Sequence, residues 1–157
     1  MAAEQNNKAI VRRIYKEYLD ELDPAAADVL LADDVVLHGV RAFGEGYGRE
    51  TVKQGFSAFL SSFAERHTDV EDLVAEGDRV VARHTHHLRH VNEVFGIPPT
   101  GKQLSVWGID IFRFENGKIA EWWVIDDNLG MMQQMGVFPP PGEQPGGTPS
   151  EGQEPPS

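Results

Sequence analysis

The chain has 157 residues, with 25 Asp or Glu against 14 Lys or Arg, a formal net charge of -11 and no cysteine. An acidic chain repels phosphate backbones and anionic lipid headgroups, so nucleic acid and membrane surfaces are disfavoured as partners. The lack of cysteine excludes disulfides and thiol chemistry. The length fits one domain, and the amino-terminal segment has no apolar run of signal-peptide length. We therefore expect one cytoplasmic domain.

Helical patterns occupy the first part of the chain. Apolar residues recur at a helical spacing from Ile10 to Leu19, which predicts an amphipathic opening helix. Asp23-Pro24 supplies a helix cap and a first-turn proline, so a short helix is expected over Ala25–Leu31. A brief strand, Val35–His38, and a glycine-rich loop follow. Val52–Phe63 then has the spacing of a third helix with an aromatic face.

The pattern then changes to the two-residue period of β-strands. Turn residues separate the strands, with Asn116-Gly117 the clearest hairpin turn and Glu76–Asp78 a second one. A short helix, Asn128–Gln134, closes at Gly136. Helices first and an antiparallel sheet afterwards predict an α+β fold. The predicted strands are Val70–Ala75, Arg79–Val91, Gln103–Phe114 and Lys118–Ile125.

The carboxyl-terminal segment has a different composition. Residues 139–157 hold seven of the ten prolines, four glycines and no aromatic residue. Such a segment cannot bury a core, so we predict a disordered tail after a domain of residues 1–138.

The Asn-Gly turn predicts a register for the last hairpin. With two loop residues, Asp110 faces Trp123, and Asp127 shares the face of Asp110 and Phe112. Both faces of this hairpin are largely apolar, so the sheet needs covering twice. We expect the helices to cover one face and a second subunit to cover the other, in a homodimer.

Two carboxyl groups on the predicted inner face are the strongest chemical signal. Among apolar side chains, the pKa of Asp110 or Asp127 would rise and make the group a usable acid or base near neutrality. A purely structural alternative exists for each residue. Asp127 precedes a predicted helix and would serve as its N-cap, and Asp110 would pair with an arginine such as Arg83 or Arg113.

Histidines are the second signal. His84 and His86 share one strand face at a spacing that can hold a metal, but no recognisable sequence element supplies a third ligand. We therefore predict no metal. His38 and His90 are candidate polar pocket residues or structural histidines. The chain also lacks a dinucleotide fingerprint and a P-loop, so we predict no cofactor.

Several segments resemble the SnoaL-like polyketide cyclases, an ester cyclase group of the nuclear transport factor two-like superfamily. The similarity spans about residues 7–138. Its most specific part is the sequence GIPPTG followed by the Asn-Gly hairpin. The resemblance implies a cone-shaped barrel of curved antiparallel sheet, closed by three amino-terminal helices around an apolar pocket, usually in a dimer. The matching segments are Asp72–Asp78, Phe95–Gly101, Gly108–Arg113, Asn116–Ile119, Leu129-Gly130 and Gln133-Gln134.

The resemblance also implies a chemistry. Characterised family members close a ring by an intramolecular aldol reaction, without metal or cofactor, and use an aspartate near the end of the last long strand. That role falls on Asp127, or on Asp126 if the register slips by one residue. We assign catalytic roles to Asp127, Asp110 and His90. Binding of an apolar substrate is assigned to His38, Trp123, Tyr15, Phe59, Phe112, Arg83 and His86.

The leading hypothesis is therefore a cofactor-independent cyclase, lyase or isomerase that acts on an apolar carbonyl compound. The superfamily also includes epoxide hydrolases and steroid isomerases, which are alternatives within the enzyme class. A small-molecule binding protein without chemistry is the alternative from another class, because an apolar lining serves binding as well as catalysis.

Overall fold

The computed structural model describes residues 2–40, 46–139 and 142. Helix α1 continues into a π-helical segment, Ile14–Asp20, and short helices flank the first strands. None of the helices in the described ranges is long and apolar enough to cross a bilayer. The elements are, in chain order, α1 (Ala2–Arg13), α2 (Pro24–Leu30), β1 (Leu31–His38), β2 (Gly46–Tyr47), α3 (Arg49–Leu60), β3 (Phe63–Glu76), β4 (Arg79–His90), β5 (Gln103–Glu115), β6 (Lys118–Asp126) and α4 (Asn128–Gln134).

The described strands form one curved, open sheet in the order β2-β1-β6-β5-β4-β3. Helices α1 to α3 cover its inner face, where the main core lies. The predicted α+β class is confirmed. One pair departs from the expected antiparallel pattern, because β1 runs parallel to β6. Helix α2 directly precedes β1 in the chain.

Local signals explain most helix boundaries. The Asp23 carboxylate accepts a hydrogen bond from the Ala25 N–H at 3.0 Å, as the cap prediction requires. The third helix begins and ends three residues earlier than predicted, at Arg49 and Leu60. Phe63 begins β3 instead, because it pairs with His90 across the sheet. Strand β3 therefore starts seven residues before the predicted Val70.

Two predictions fall partly or wholly outside the described residues. The glycine-rich loop includes residues 41–45, and the predicted tail includes residues 140–141 and 143–157. The disordered tail and the domain boundary at residue 138 stay predictions.

Both predicted hairpin turns are present. Gly77 and Asp78 join β3 to β4, and Asn116 and Gly117 join β5 to β6 with φ values of 51° and 75°. The ladder next to the second turn starts in the predicted register, with Phe114 opposite Ile119.

The predicted register fails one residue further along. Ala120 is an extra residue in β6, so Arg113 pairs with Glu121 and Asp110 pairs with Val124 instead of Trp123. Such a β-bulge adds one residue to one strand and exchanges the faces of every residue beyond it. The predicted position of Trp123 beside Asp110 is therefore wrong.

The bulge reverses the roles of the two adjacent tryptophans. Trp122 points inward and is 1% exposed, packed against Phe56 and Phe112. Trp123 lies on the outer face, stacked on His38. The inner face of β6 beyond the bulge thus carries Trp122, Val124 and, at its end, Asp126.

This register predicts unequal costs for the two tryptophans. Trp122→Ala should lower the free energy of unfolding by about 3–5 kcal/mol, because it opens a cavity in the core. Trp123→Ala should cost about 1 kcal/mol, since it removes only surface stacking. Urea denaturation of the two variants measures both values, and equal costs would contradict the bulged register.

Candidate active site

An apolar cavity lies between the inner face of the sheet, the π-helical segment, α3 and α4. Its volume is about 50 Å³. That is room for a few water molecules and far less than the roughly 300–1,000 Å³ of a pocket for a drug-sized ligand. A ring compound therefore needs a displacement of the cavity wall. Its apolar wall is formed by Phe56, Phe59, Leu60, Leu88, Val106 and Met131.

Two carboxyl groups line the cavity. One is Asp20, which is hydrogen-bonded to Thr68, and the other is Asp126. It is the last residue of β6 and lies opposite Gly108 of β5. Its side chain is 24% exposed, and this exposure faces the cavity, whereas its Oδ1 is buried without a hydrogen bond. A Cβ atom on Gly108 would lie 2.2 Å from that oxygen. The missing side chain at position 108 makes room for the carboxyl group.

The surroundings of Asp126 change its acidity. Burial among apolar side chains raises its pKa, and the negative charge of Asp110 raises it further, to about 7. His84 acts in the opposite direction, with its Nε2 3.7 Å from Asp126 Oδ1. A carboxyl group with a pKa near 7 exchanges a proton readily at neutral pH, as general acid–base catalysis requires.

Three buried polar residues, Asp110, Tyr15 and His84, lie behind Asp126 on the side away from the cavity. Asp110 is 1% exposed and accepts a 2.7 Å hydrogen bond from the Tyr15 hydroxyl. His84 is fully buried, with Nε2 3.2 Å from Asp110 Oδ2 but without the alignment of a hydrogen bond. Burial lowers the pKa of His84, but the nearby charges of Asp110 and Asp126 outweigh it and the net direction is upward. His84 thus lies between two carboxyl groups whose charges favour its protonated form.

His86 lies beside His84, with the two ring centroids 4.3 Å apart. It lines the cavity, and its Nδ1 lies 2.8 Å from the Thr68 hydroxyl. Burial lowers the pKa of His86 to about 3, and the positive charge of His84 acts in the same direction. His86 is therefore neutral at physiological pH.

The same residues bear on metal binding. His84, His86 and Asp126 each offer a ligand atom, and these atoms lie within 4.8 Å of one another. Asp126 is thus the third donor that no sequence element supplied. Two histidines and one carboxylate suit a divalent transition metal. His84 Nε2 lies close to both Asp110 and Asp126. A proton on this nitrogen therefore interacts favourably with the same carboxyl groups that a metal would.

Comparisons with known proteins identify the family of the chain. The family model for SnoaL-like polyketide cyclases matches residues 9–135. The chain belongs to the SnoaL-like polyketide cyclase family. Comparison with curated proteins gave no match.

Solved structures of the same fold are similar over most of this SnoaL-like chain. TsrD from Streptomyces laurentii is 29% identical, with a TM-score of 0.76 over 85% of this chain and 97% of TsrD. IdmH from Streptomyces antibioticus, a candidate polyketide cyclase, is 28% identical, with a TM-score of 0.71 over 83% and 98%. A candidate SnoaL-like cyclase from Jannaschia sp. CCS1 is 21% identical with a TM-score of 0.79 over 89% and 97%, which shows the fold.

The structure places two of the predicted catalytic residues of this SnoaL-like chain in structural positions. Asp127 caps α4, where its Oδ1 accepts a hydrogen bond from the Gly130 N–H at 2.9 Å. His90 is fully buried, and its Nδ1 bonds to Thr100 near the end of the β4–β5 connection. Neither residue lines the cavity. The expectation that Asp127 faces the pocket is wrong, because the bulge turns Asp126 inward.

Three predicted substrate contacts lie on the outer face. His38 pairs with Glu121 at 3.0 Å, and Trp123 stacks on it. Arg83 bonds to Asp72 at 2.7 Å and also to Glu71. These positions are away from the cavity, so the predicted contacts with a substrate inside it are wrong.

The other predicted residues lie at or behind the cavity. Phe59 and His86 line it. Tyr15 and Phe112 are buried behind it, in edge-to-face contact with each other, and Asp110 lies beside Tyr15. Only Phe59 and His86 are therefore placed to touch a ligand directly.

Sequence reasoning missed several residues of the SnoaL-like site. Gly108 gave a signal as a glycine within a strand, where close approach of another group is a standard reason. Asp20 and Thr68 gave none, because their contact depends on the packing of the π-helical segment against β3.

The raised pKa of Asp126 predicts a pH dependence of stability. Between about pH 4 and pH 7 the folded chain keeps a proton on Asp126 that the unfolded chain releases, so stability falls as pH rises through this window. Relative to Asp126→Asn, the wild type should lose on the order of 4 kcal/mol across this window, because the pKa of Asp126 rises from 3.8 to about 7 on folding. Urea denaturation from pH 4 to pH 8 measures the difference. Asp127→Asn should keep the wild-type slope, and a constant difference between wild type and Asp126→Asn would contradict the assignment.

Proposed function

We propose that this SnoaL-like chain is a cofactor-independent cyclase that uses Asp126 as acid and base on an apolar carbonyl compound. One observation carries the proposal, namely the carboxyl group of Asp126 in the cavity wall with its pKa raised to about 7. The family match and the similarity to IdmH, a candidate polyketide cyclase, support the same reaction class.

The proposed reaction is an intramolecular aldol addition. The Asp126 carboxylate takes a proton from a carbon next to a carbonyl group, and the electron pair of the broken C–H bond passes into the enolate. The enolate carbon then bonds to a second carbonyl carbon, whose oxygen becomes an alkoxide. Protonated Asp126 returns its proton to that alkoxide, so the enzyme ends in its starting state.

The neighbouring groups suit both protonation states of Asp126. His84 lowers the pKa of Asp126 and so favours the carboxylate before proton abstraction, whereas the apolar wall and Asp110 raise that pKa and favour the protonated acid afterwards. Fixed groups in a site of low polarity supply this balance without reorganisation during the reaction.

Proton abstraction can be tested without knowing the natural substrate. The probe is 2-tetralone, an apolar enolisable ketone, whose exchange of α-hydrogens in heavy water is followed by NMR. The wild type should accelerate the exchange, and Asp126→Asn should slow it by about 100-fold or more. Saturation-transfer NMR verifies that both proteins bind the ketone.

Asp127→Asn is the matched control for this experiment. Asparagine caps helices as well as aspartate does, so the neighbouring variant should keep the wild-type rate. Exchange that survives in Asp126→Asn would overturn the role of Asp126. Binding of 2-tetralone without accelerated exchange in the wild type would favour the non-catalytic binding protein.

The alternatives differ in what they require of the second carboxyl group. An epoxide hydrolase that holds a water between two carboxylates needs Asp110 at the cavity, but Asp110 is buried against Tyr15. A steroid isomerase-like reaction begins with the same proton abstraction as the cyclase and differs only in the product. We therefore retain proton abstraction next to a carbonyl group as the shared chemistry.

We further propose a homodimer through the outer face of the sheet. Four large apolar side chains on neighbouring positions of β5 and β6 are 36–69% exposed there, and Ile109 pairs directly with Ile125. A contiguous exposed apolar patch of this kind is typical of an interaction site. A cytoplasmic location stays a prediction. The four residues are Trp107, Ile109, Ile111 and Ile125.

The dimer proposal predicts a specific effect of a charge in this patch. Ile125→Glu should convert a dimer to a monomer, because it places an unpaired carboxylate in an apolar interface. Val29→Glu, at a similarly exposed position on α2, should leave the dimer intact. Sedimentation velocity measures the mass of each protein, and a monomeric wild type or a dimeric Ile125→Glu would contradict the interface.

A further inference from the structure

A chain of polar contacts joins Asp20 to His86 through Thr68, and both Asp20 and His86 line the cavity. Asp20, at the end of the π-helical segment, accepts two hydrogen bonds from Thr68 of β3. The Thr68 N–H donates to Oδ2 at 2.9 Å, and the Thr68 hydroxyl lies 2.7 Å from Oδ1. The same hydroxyl lies 2.8 Å from His86 Nδ1, in the cross-strand position of β4. Thr68 itself is buried.

The number of available protons decides the direction of these hydrogen bonds. A threonine hydroxyl has one hydrogen to donate, and an ionised carboxylate has none. The hydroxyl hydrogen of Thr68 therefore goes to Asp20. Towards His86 the Thr68 oxygen can only accept, so His86 Nδ1 carries the proton of this contact.

The remaining nitrogen of His86 follows from its charge. His86 is neutral, since its pKa lies far below physiological pH. A neutral imidazole has one N–H and one lone pair. With the hydrogen on Nδ1, the lone pair is on Nε2. The tautomer of a histidine is commonly fixed in this way by the hydrogen bond of its other nitrogen.

We infer that Asp20 and Thr68 are positioning residues that fix His86 as its Nδ1–H tautomer and so make Nε2 a hydrogen-bond acceptor for a ligand hydroxyl in the cavity. His86 lines the cavity, and one of its nitrogens lies within 4.8 Å of an Asp126 oxygen. The ligand class is therefore an apolar carbonyl compound with an enol or alcohol O–H next to the reacting group. Only the identity of the ligand rests on the proposed function, because the tautomer does not depend on catalysis.

His86 and Asp126 bind different groups of a ligand, because they carry different protons. Nε2 has no hydrogen to donate and binds an O–H, whereas Asp126 in its protonated form donates to a carbonyl or alkoxide oxygen. A ligand that presents one donor and one acceptor satisfies both groups. A buried acceptor left without its partner costs free energy, so an otherwise identical ligand without the O–H should bind less well.

The tautomer can be measured directly in the full-length chain. Long-range ¹H–¹⁵N correlation spectra at pH 7 distinguish protonated from unprotonated ring nitrogens, and comparison with His86→Gln identifies the His86 signals. The wild type and Thr68→Ser should both show a protonated Nδ1 and an unprotonated Nε2. Thr68→Val has nearly the same shape but no hydroxyl, and it should lose the Nδ1–H form.

The same three proteins are then compared by NMR titration with 2-tetralone and with its alcohol, 2-tetralol, which presents an O–H. Thr68→Val should weaken the binding of 2-tetralol by about tenfold or more and leave the binding of 2-tetralone unchanged, because a histidine in the wrong tautomer presents a donor where the alcohol needs an acceptor. Thr68→Ser should keep the wild-type affinity for both compounds. An Nε2–H tautomer in the wild type, or an unchanged Nδ1–H form in Thr68→Val, would overturn the inference.

Failure of this inference is distinguishable from failure of the proposed function. An Nε2–H tautomer together with loss of exchange in Asp126→Asn would reject the role of Thr68 and Asp20 but leave the cyclase proposal standing. An Nδ1–H tautomer in a wild type that accelerates no exchange would reject the cyclase proposal but leave the roles of Thr68 and Asp20 standing.

Discussion

One extra residue in the last hairpin decides which side chains enter the cavity. Ala120 interrupts the β5–β6 ladder, and every side chain of β6 beyond it changes face. Without that bulge, Asp126 and Trp122 would point outward, and Trp123 and Asp127 would take the inner face in their place. Because the alternation of a strand has a period of two, a single inserted residue has this effect over the whole remaining strand.

Asp110, Asp126 and His84 form a cluster of titratable groups at and behind the cavity. Charged groups are costly to bury, and the attraction between opposite charges in this cluster offsets part of that cost. Asp110 has the hydroxyl of Tyr15 and the charge of His84 beside it. Asp126 lies farther from His84, at 3.7 Å, and faces the mainly apolar cavity. The two acids therefore differ in environment, and Asp126 is the one whose pKa rises to about 7.

Much of the fold could be predicted from the sequence, because its signals are local. The cap at Asp23 and both hairpin turns depend on neighbouring residues and are where expected. The alternation along β5 also gives the observed inner face. The bulge at Ala120 has no comparable local signal, and it changed the assignment from Asp127 to Asp126. The contact between Thr68 and Asp20 joins residues 48 positions apart, which no spacing rule reaches.

The N-cap of α4 connects Asp126 to the part of the cavity wall that this helix forms. Asp127 begins the helix that carries Met131 into the cavity wall, and its N–H is bonded to Trp107 O at 2.9 Å. Asp126 is one peptide bond away. At the other end of α4, the Gln134 side chain bonds to the backbone N–H and C=O of Ser105 at 2.8 and 2.9 Å. Strand β5 therefore holds α4 at both ends, and the position of the acid is tied to that of Met131 in the cavity wall.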